Sequence, residues 1–264
     1  MIRNGILNGY PFVEAFASWL DAADRIVVVD GGSIDGTDAV LDRLKLVDDR
    51  VSVVRRQWPE GRTGGSAIAE LTMTALSIAR ASAGAESRLM YVQADEVYTA
   101  AQRRLVRDNR SSCLEFAGCV NFWNSTETVV QEAFPMTYVR LLTAGAAVRS
   151  LGDGYSFEVS DSPVERTAEL ILHYGWCFPI NILQKHVSHA AIYRDNPAYA
   201  LRGRLASMLI ERKAYDRRYL EALAPQYTPV PYGGTHPPAM SHLRGAVRYD
   251  PYVGLDLLRS GVRW

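Results

Sequence analysis

The chain has 264 residues, of which 48% are hydrophobic and 22% charged. That is ordinary globular composition, enough to bury the core of one large α/β domain or two small ones. Its 29 basic and 29 acidic residues cancel, so no global field favours nucleic acid or an anionic membrane, and any anionic ligand has to be held by a local site. The three cysteines, Cys113, Cys119 and Cys177, form no C-x-x-C pair. They point to reduced thiols and a cytoplasmic setting rather than a disulfide framework. No apolar run approaches the roughly 20 residues of a spanning helix, and Met1 to Gly5 lack a signal-peptide core. The expectation is a soluble or at most peripheral protein.

In chain order, Phe12, Phe16, Trp19 and Leu20 follow Pro11 at near-helical spacing and predict a helix over 11–20. Arg25 to Asp30 is a short β-branched run that reads as a buried parallel strand. A Gly31–Thr37 turn follows, where Asp35 or Thr37 can cap a helix with Val40, Leu41 and Leu44 inside. Val51 to Val54 predicts a second strand. A glycine-rich loop, Glu60 to Gly65, leads into a long helix from Ser66 to Ala83, and Arg88 to Gln93 is a third strand ending at Ala94-Asp95-Glu96. This alternation predicts a mostly parallel sheet flanked by helices.

Beyond residue 100 the reading gives strands at Leu114–Trp123 and Tyr138–Leu142, and a last short strand at Leu170–Leu172 ending at His173. Helices follow at 180–193 and 199–223. The tail from Pro225 lacks clear periodicity. No repeat or linker is visible, so one domain over 1–195 with a helical or irregular extension over 196–264 packed on it fits best.

Four segments could carry chemistry. In an open parallel sheet, ligands bind beyond the C-terminal ends of strands. Asp30 stands at such an end, in V-V-V-D-G-G-S-I-D-G-T, where its carboxylate can accept from a base N–H or a ribose hydroxyl. A plain strand-turn-helix connection would read the same way. The second strand end, Gln93-Ala94-Asp95-Glu96, offers carboxylates for Mg²⁺ or Mn²⁺ shared with a diphosphate, with Asp95 as ligand and Glu96 binding or orienting a neighbour. A helix N-cap is the competing account. The third segment is Leu170 to Trp176, where His173 could complete such a site. Lys185, further on, could offset diphosphate charge or simply sit on a solvated helix face. The fourth is Gly152-Asp153-Gly154: Asp153 could serve as a general base or be a turn aspartate. Glu158 and Glu132 are rival bases. Phe122, Trp123 and Trp176 could stack on a sugar, though core packing accounts for them as well.

Together these segments resemble family-2 glycosyltransferases, which have the GT-A fold. The order that carries the resemblance is Arg3-Asn4, then D-G-G-S-I-D-G-T, then Q-A-D-E. More narrowly the chain is similar to a bacterial subgroup, through Trp58-Pro59, Gly64-Gly65, Ala69 to Thr72, Gly152-Asp153, His173 to Trp176 and Lys185. The resemblance covers about residues 2–190. It implies transfer of a sugar from a nucleoside-diphosphate donor to an acceptor hydroxyl, with inversion and a divalent cation (Mn²⁺ or Mg²⁺). Asp30, Arg3 and Asn4 would line the nucleoside pocket. Trp58 and Arg62 would close over base and phosphates, and Gln93 and Glu96 would flank the donor. Asp95 and His173 would hold the metal, Lys185 would face the diphosphate, and Asp153 would be the base. The acceptor (a glycan, a lipid-linked sugar or a small molecule) is left open.

Three departures accompany the resemblance. Only Met1 and Ile2 stand where the family has several apolar residues, which predicts a late start or a trimmed sheet edge. Gln93 replaces an acid, and Leu71 stands where a polar residue is expected. A nucleotidyltransferase would need a glycine-rich loop at the extreme N-terminus, and a dinucleotide oxidoreductase would need G-x-G-x-x-G. A non-catalytic nucleotide-sugar-binding or scaffold protein is the remaining alternative.

Overall fold

The computed structural model describes residues 1–62, 65–130, 136–213, 228–262 and 264. Strand β1 (Ile26–Asp30) and strand β2 (Val51–Arg55) pair in parallel, from Ile26 opposite Val51 to Asp30 opposite Arg55. They are joined by α3 (Thr37–Val47), which buries Val40, Leu41 and Leu44, the stripe that its spacing predicts. Ahead of this unit lie two short helices, α1 (Gly5–Asn8) and α2 (Phe12–Ala17). Asp35 caps the start of α3 as expected: its Oδ1 accepts from the Thr37 N–H at 3.0 Å. Gly36 is the N-cap and makes no side-chain cap bond. Asp35 Oδ2 and Thr37 Oγ1 also accept from the Leu7 and Ile6 N–H groups of α1, at 2.7 and 3.1 Å. A helix this short cannot satisfy its own first amides, so the D-G-G-S-I-D-G-T loop satisfies them from outside.

Helix α4 (Ser66–Ala81) buries Ala67, Leu71, Thr72 and Leu76. Leu71 is apolar because its side chain fills the space above Gly31. Strand β3 (Arg88–Met90) then enters a second sheet, and α5 (Ala100–Asp108) follows. The sequence reading missed α5, although Thr99 and Gln102 form a reciprocal capping box whose T-x-x-Q signature was available.

The expected mostly parallel central sheet is not what forms. The larger sheet runs β10-β5-β4-β6-β3, with β9 on the other side of β4. Its members are β4 (Cys113–Trp123), β5 (Thr128–Val130), β6 (Tyr138–Thr143), β9 (Val164–Trp176) and β10 (Pro229–Pro231). All of these pairs are antiparallel except β4 with β9. The reason is connection length. Only residues 124–127 separate β4 from β5, whereas a parallel return needs a crossover of about a dozen residues. A β7 (Val148–Leu151) to β8 (Ser156–Val159) hairpin projects the Gly152–Tyr155 turn. Strand β9 is also far longer than the three residues anticipated.

Helix α6 (Pro179–Ile192) packs on α7 (Pro197–Glu211). Residues 214–227, which include the rest of the expected second helix, lie outside the described residues. The tail is not irregular throughout: α8 (Pro251–Arg259) starts at an Asp250 cap and buries Leu255 and Leu258. With Met240, Leu243 and Tyr249 these join Phe12, Val13, Leu41 and Phe178 in one core. No described helix is long and apolar enough to cross a membrane.

Candidate functional site

The rim is built where strand ends meet the loops that follow them. Ile2 pairs with the end of β1: its N–H donates to Val29 C=O and its C=O accepts from Gly31, both at 2.8 Å. Asp30, 2% exposed, uses Oδ1 to accept from the Ser33 N–H and hydroxyl, at 3.0 and 2.6 Å. The Ser33 hydroxyl in turn accepts from the Asn4 N–H, and Asn4 Oδ1 accepts from Ile34 N–H, each at 2.9 Å. Asn4 itself is left-handed at φ 50°. Asn4 is thus stitched to the Asp30 loop. The Arg3 guanidinium lies 4.2 Å from the Trp58 ring centroid, over its face. Arg3, Trp58 and Arg62 line a cavity of about 260 Å³ together with Ile192 and Arg194. Three arginines, Arg3, Arg62 and Arg194, are among its lining residues, together with Glu60. Arg62 also pairs with Glu70 at 3.1 Å on the surface.

A second group forms in the larger sheet, where the segment after β3 meets β9. Glu96 and His173 form an antiparallel bridge, which brings the Q-A-D-E segment against β9. Asp95 Oδ2 sits 3.1 Å from His173 Nε2 and 3.7 Å from Lys185 Nζ. Lys185 is not on a solvated helix face. It is 3% exposed, donates to Gly175 C=O at 2.9 Å, and lies 4.2 Å from the Trp176 ring and 4.6 Å from the Tyr10 ring. Burial pushes the Lys185 ammonium down to about 8, with Asp95 opposing. Burial raises the Asp95 carboxyl, yet His173 and Lys185 outweigh it and hold the group well below the usual carboxylate range. Gly175 makes the cluster possible, because a Cβ there would collide with Asp95 Oδ2 and Lys185 Nζ.

Asp153 comes to the same place from the β7–β8 turn. Gly152 and Gly154, at φ 54° and 81°, allow that turn. Gly65 lets the Asp153 backbone lie against the start of α4. Asp153 Oδ2 accepts from the Tyr193 hydroxyl at 2.7 Å, and Tyr193 stands between the cavity residues Ile192 and Arg194. Gln93 donates to Gly154 C=O at 3.3 Å, tying this turn to the Q-A-D-E segment. Tyr10 and Lys185 each feel the charges of both Asp95 and Asp153.

Glu96 is not brought to this cluster. It is fully buried and pairs with Arg140, which donates from Nη2 to Oε1 at 2.6 Å and from Nε at 3.2 Å. The Tyr98 hydroxyl donates to Glu96 Oε2 at 3.0 Å. The expected donor contact at Glu96 therefore gives way to an ion pair inside the core. Glu158 pairs with Arg149 on the hairpin surface, while Glu132 and Gly64 lie outside the described residues. Phe122 is a core residue stacked on Tyr174 at 4.1 Å, and Trp123 is buried. Only Trp176 reaches the cluster. Sequence reasoning missed Tyr10, Tyr193 and Arg194. Gly175 carried a signal, a glycine inside a strand, but the other three carried none. Among the described residues no group of three His, Cys, Asp or Glu side chains converges on a metal position. Asp95 and His173 are two donors.

Comparison with protein-family models, with curated proteins and with solved structures finds no match to this chain.

Proposed function

We propose that this protein is a glycosyltransferase of GT-A type that moves a sugar from a nucleoside diphosphate to an acceptor hydroxyl. One observation carries the reading: Asp95, His173 and Lys185 cluster over Gly175, and Asp153 is bonded to Tyr193, whose chain neighbours Ile192 and Arg194 line a cavity together with Arg3 and Arg62. The Asp30 loop takes the nucleoside and Arg3, Arg62 and Arg194 take the phosphates. Charge on the departing diphosphate needs compensation as the glycosidic bond breaks. Lys185 Nζ supplies one positive charge. A Mn²⁺ or Mg²⁺ held by Asp95 and His173, with phosphate oxygens and water completing its shell, would supply Lewis acidity there. Asp95 Oδ2 and His173 Nε2, 3.1 Å apart, present two donor atoms side by side, while the buried His173 Nδ1 lacks the acceptor that commonly orients a metal-held imidazole. Asp153, held by Tyr193, accepts the proton of the attacking hydroxyl.

A second reading draws on the same residues. Lys185 already compensates Asp95, and Gln93 stands where an acid would add a ligand, so nucleotide-sugar binding without transfer also fits. Thermal shift across nucleoside diphosphates, with and without Mn²⁺, tests both readings, since a ligand selective for the native state raises the melting temperature. Metal-dependent stabilisation together with donor hydrolysis that disappears in Asp95→Asn supports the transferase. Stabilisation with no hydrolysis in either protein leaves the binding protein. No stabilisation by any nucleotide removes both.

A further inference from the structure

Helix α7 turns its large apolar side chains outward. A surface helix ordinarily buries an apolar stripe and exposes polar residues opposite. Helix α3 does so, with Val40, Leu41 and Leu44 inside and Asp42, Arg43 and Lys45 outside. In α7 the buried residues are Gly203 and Ala206, both small. They let α6 come close: a Cβ on Gly203 would lie 2.4 Å from the Cβ of Ala190 on α6. A helix contact built on small side chains leaves the large ones elsewhere on the cylinder. Leu201, Leu205 and Met208 are 51%, 42% and 44% exposed. At positions i, i+4 and i+7 they form one stripe on the outward face.

The charges around this stripe are mostly of one sign. Arg204 lies within one turn of both Leu201 and Met208, and Arg212 continues the stripe one turn beyond Met208. Both are exposed, as is Lys213. Residues 197–213 hold four basic residues against one acid, Glu211, in a chain of zero net charge. An exposed apolar stripe flanked by long basic side chains is suited to a surface that is apolar below and anionic above.

We infer that α7 is a membrane-surface helix, whose Leu201–Leu205–Met208 stripe enters the interface of an anionic bilayer while Arg204, Arg212 and Lys213 meet the lipid phosphates. Burial of the stripe removes apolar area from water, and each basic residue near the headgroups adds electrostatic attraction. A second copy of the chain is the weaker occupant. Arg204 stands at the middle of the stripe, so a two-fold axis through it would bring Arg204 against the same residue of the other copy. Like charges juxtaposed in an interface are costly, whereas lipid phosphates turn the same charges into attraction. No described helix crosses a membrane, and this contact is peripheral. The inference is independent of the proposed activity.

Co-sedimentation of the full chain with sucrose-loaded vesicles tests it. Vesicles of equal parts phosphatidylglycerol and phosphatidylcholine should bind the chain about tenfold or more tightly than phosphatidylcholine alone, and about 1 M salt should remove that preference. Leu201→Gln with Leu205→Gln should weaken binding to the anionic vesicles about tenfold or more. Arg204→Gln with Arg212→Gln should abolish the preference for them. All four positions are exposed, so Tm should move by less than about 2 °C in either variant. Leu46→Gln, at a leucine 87% exposed on α3, should leave binding unchanged. Failure of the unaltered chain to sediment with anionic vesicles would overturn the inference, as would binding that the leucine pair does not weaken or that Leu46→Gln weakens equally. A lipid-free dimer in analytical ultracentrifugation that Leu201→Gln with Leu205→Gln dissociates would also overturn it, because the stripe would then belong to a second copy.

Discussion

The Tyr193 hydroxyl donates a 2.7 Å hydrogen bond to Asp153 Oδ2, joining the end of α6 to the β7–β8 turn across the candidate site. If Asp153 is the acceptor's base, Tyr193 is a positioning residue that fixes the carboxylate's direction. Tyr193→Phe removes only the hydroxyl, at about 1 kcal/mol of stability. Under the transferase reading, turnover should fall about tenfold or more while donor affinity by calorimetry stays within about twofold. Equal loss of affinity and turnover would return Tyr193 to a purely structural role.

Gly175 supplies a sharper probe of the cluster. Gly175→Ala puts a methyl group where Asp95 Oδ2 and Lys185 Nζ now sit. Overpacking of this kind costs about 1–3 kcal/mol, and the pair has to move apart. Denaturant unfolding should register that loss, and any Mn²⁺-dependent thermal shift should vanish. A variant that keeps both its stability and its metal response would show that the close approach is not needed.

Glu96 and Arg140 should behave as core residues. Removing one member of a buried ion pair leaves the other charge uncompensated, at about 3–5 kcal/mol. Arg140→Met and Glu96→Leu are each expected to lower the urea midpoint strongly, and the double variant should recover most of the loss. A double variant as unstable as the sum of the singles would contradict this pairing.

His186 and His189 on α6 predict how stability varies with pH. Burial first, then nearby charge (Arg202 and Lys185 for His186, Lys185 and His186 for His189), pushes them down to about 4 and about 3. Unfolded, each titrates near 6.5. Between these values the unfolded chain binds more protons than the folded one, so stability falls as pH drops below about 6.5 and levels off near 3. Urea midpoints from pH 7 to pH 4 should decline, and His186→Phe with His189→Phe should flatten that decline. An unchanged slope would mean that other groups carry it.

Local patterns were enough to read several elements in the first half of this chain. The Ile26–Asp30 run, the α3 stripe and the α4 helix announce themselves because apolar periodicity and β-branching act over a few residues. The residue types at Asp30, Asp95, His173 and Asp153 were equally visible as candidates. Sequence could not decide which of them meet. Glu96 and Asp95 are neighbours in the chain, yet β6 places Arg140 behind one and β9 places His173 beside the other. Lys185 looks like any helix lysine until Gly175 leaves room for its ammonium to reach Asp95. Strand direction followed from short connections and long-range pairing, which no local pattern encodes.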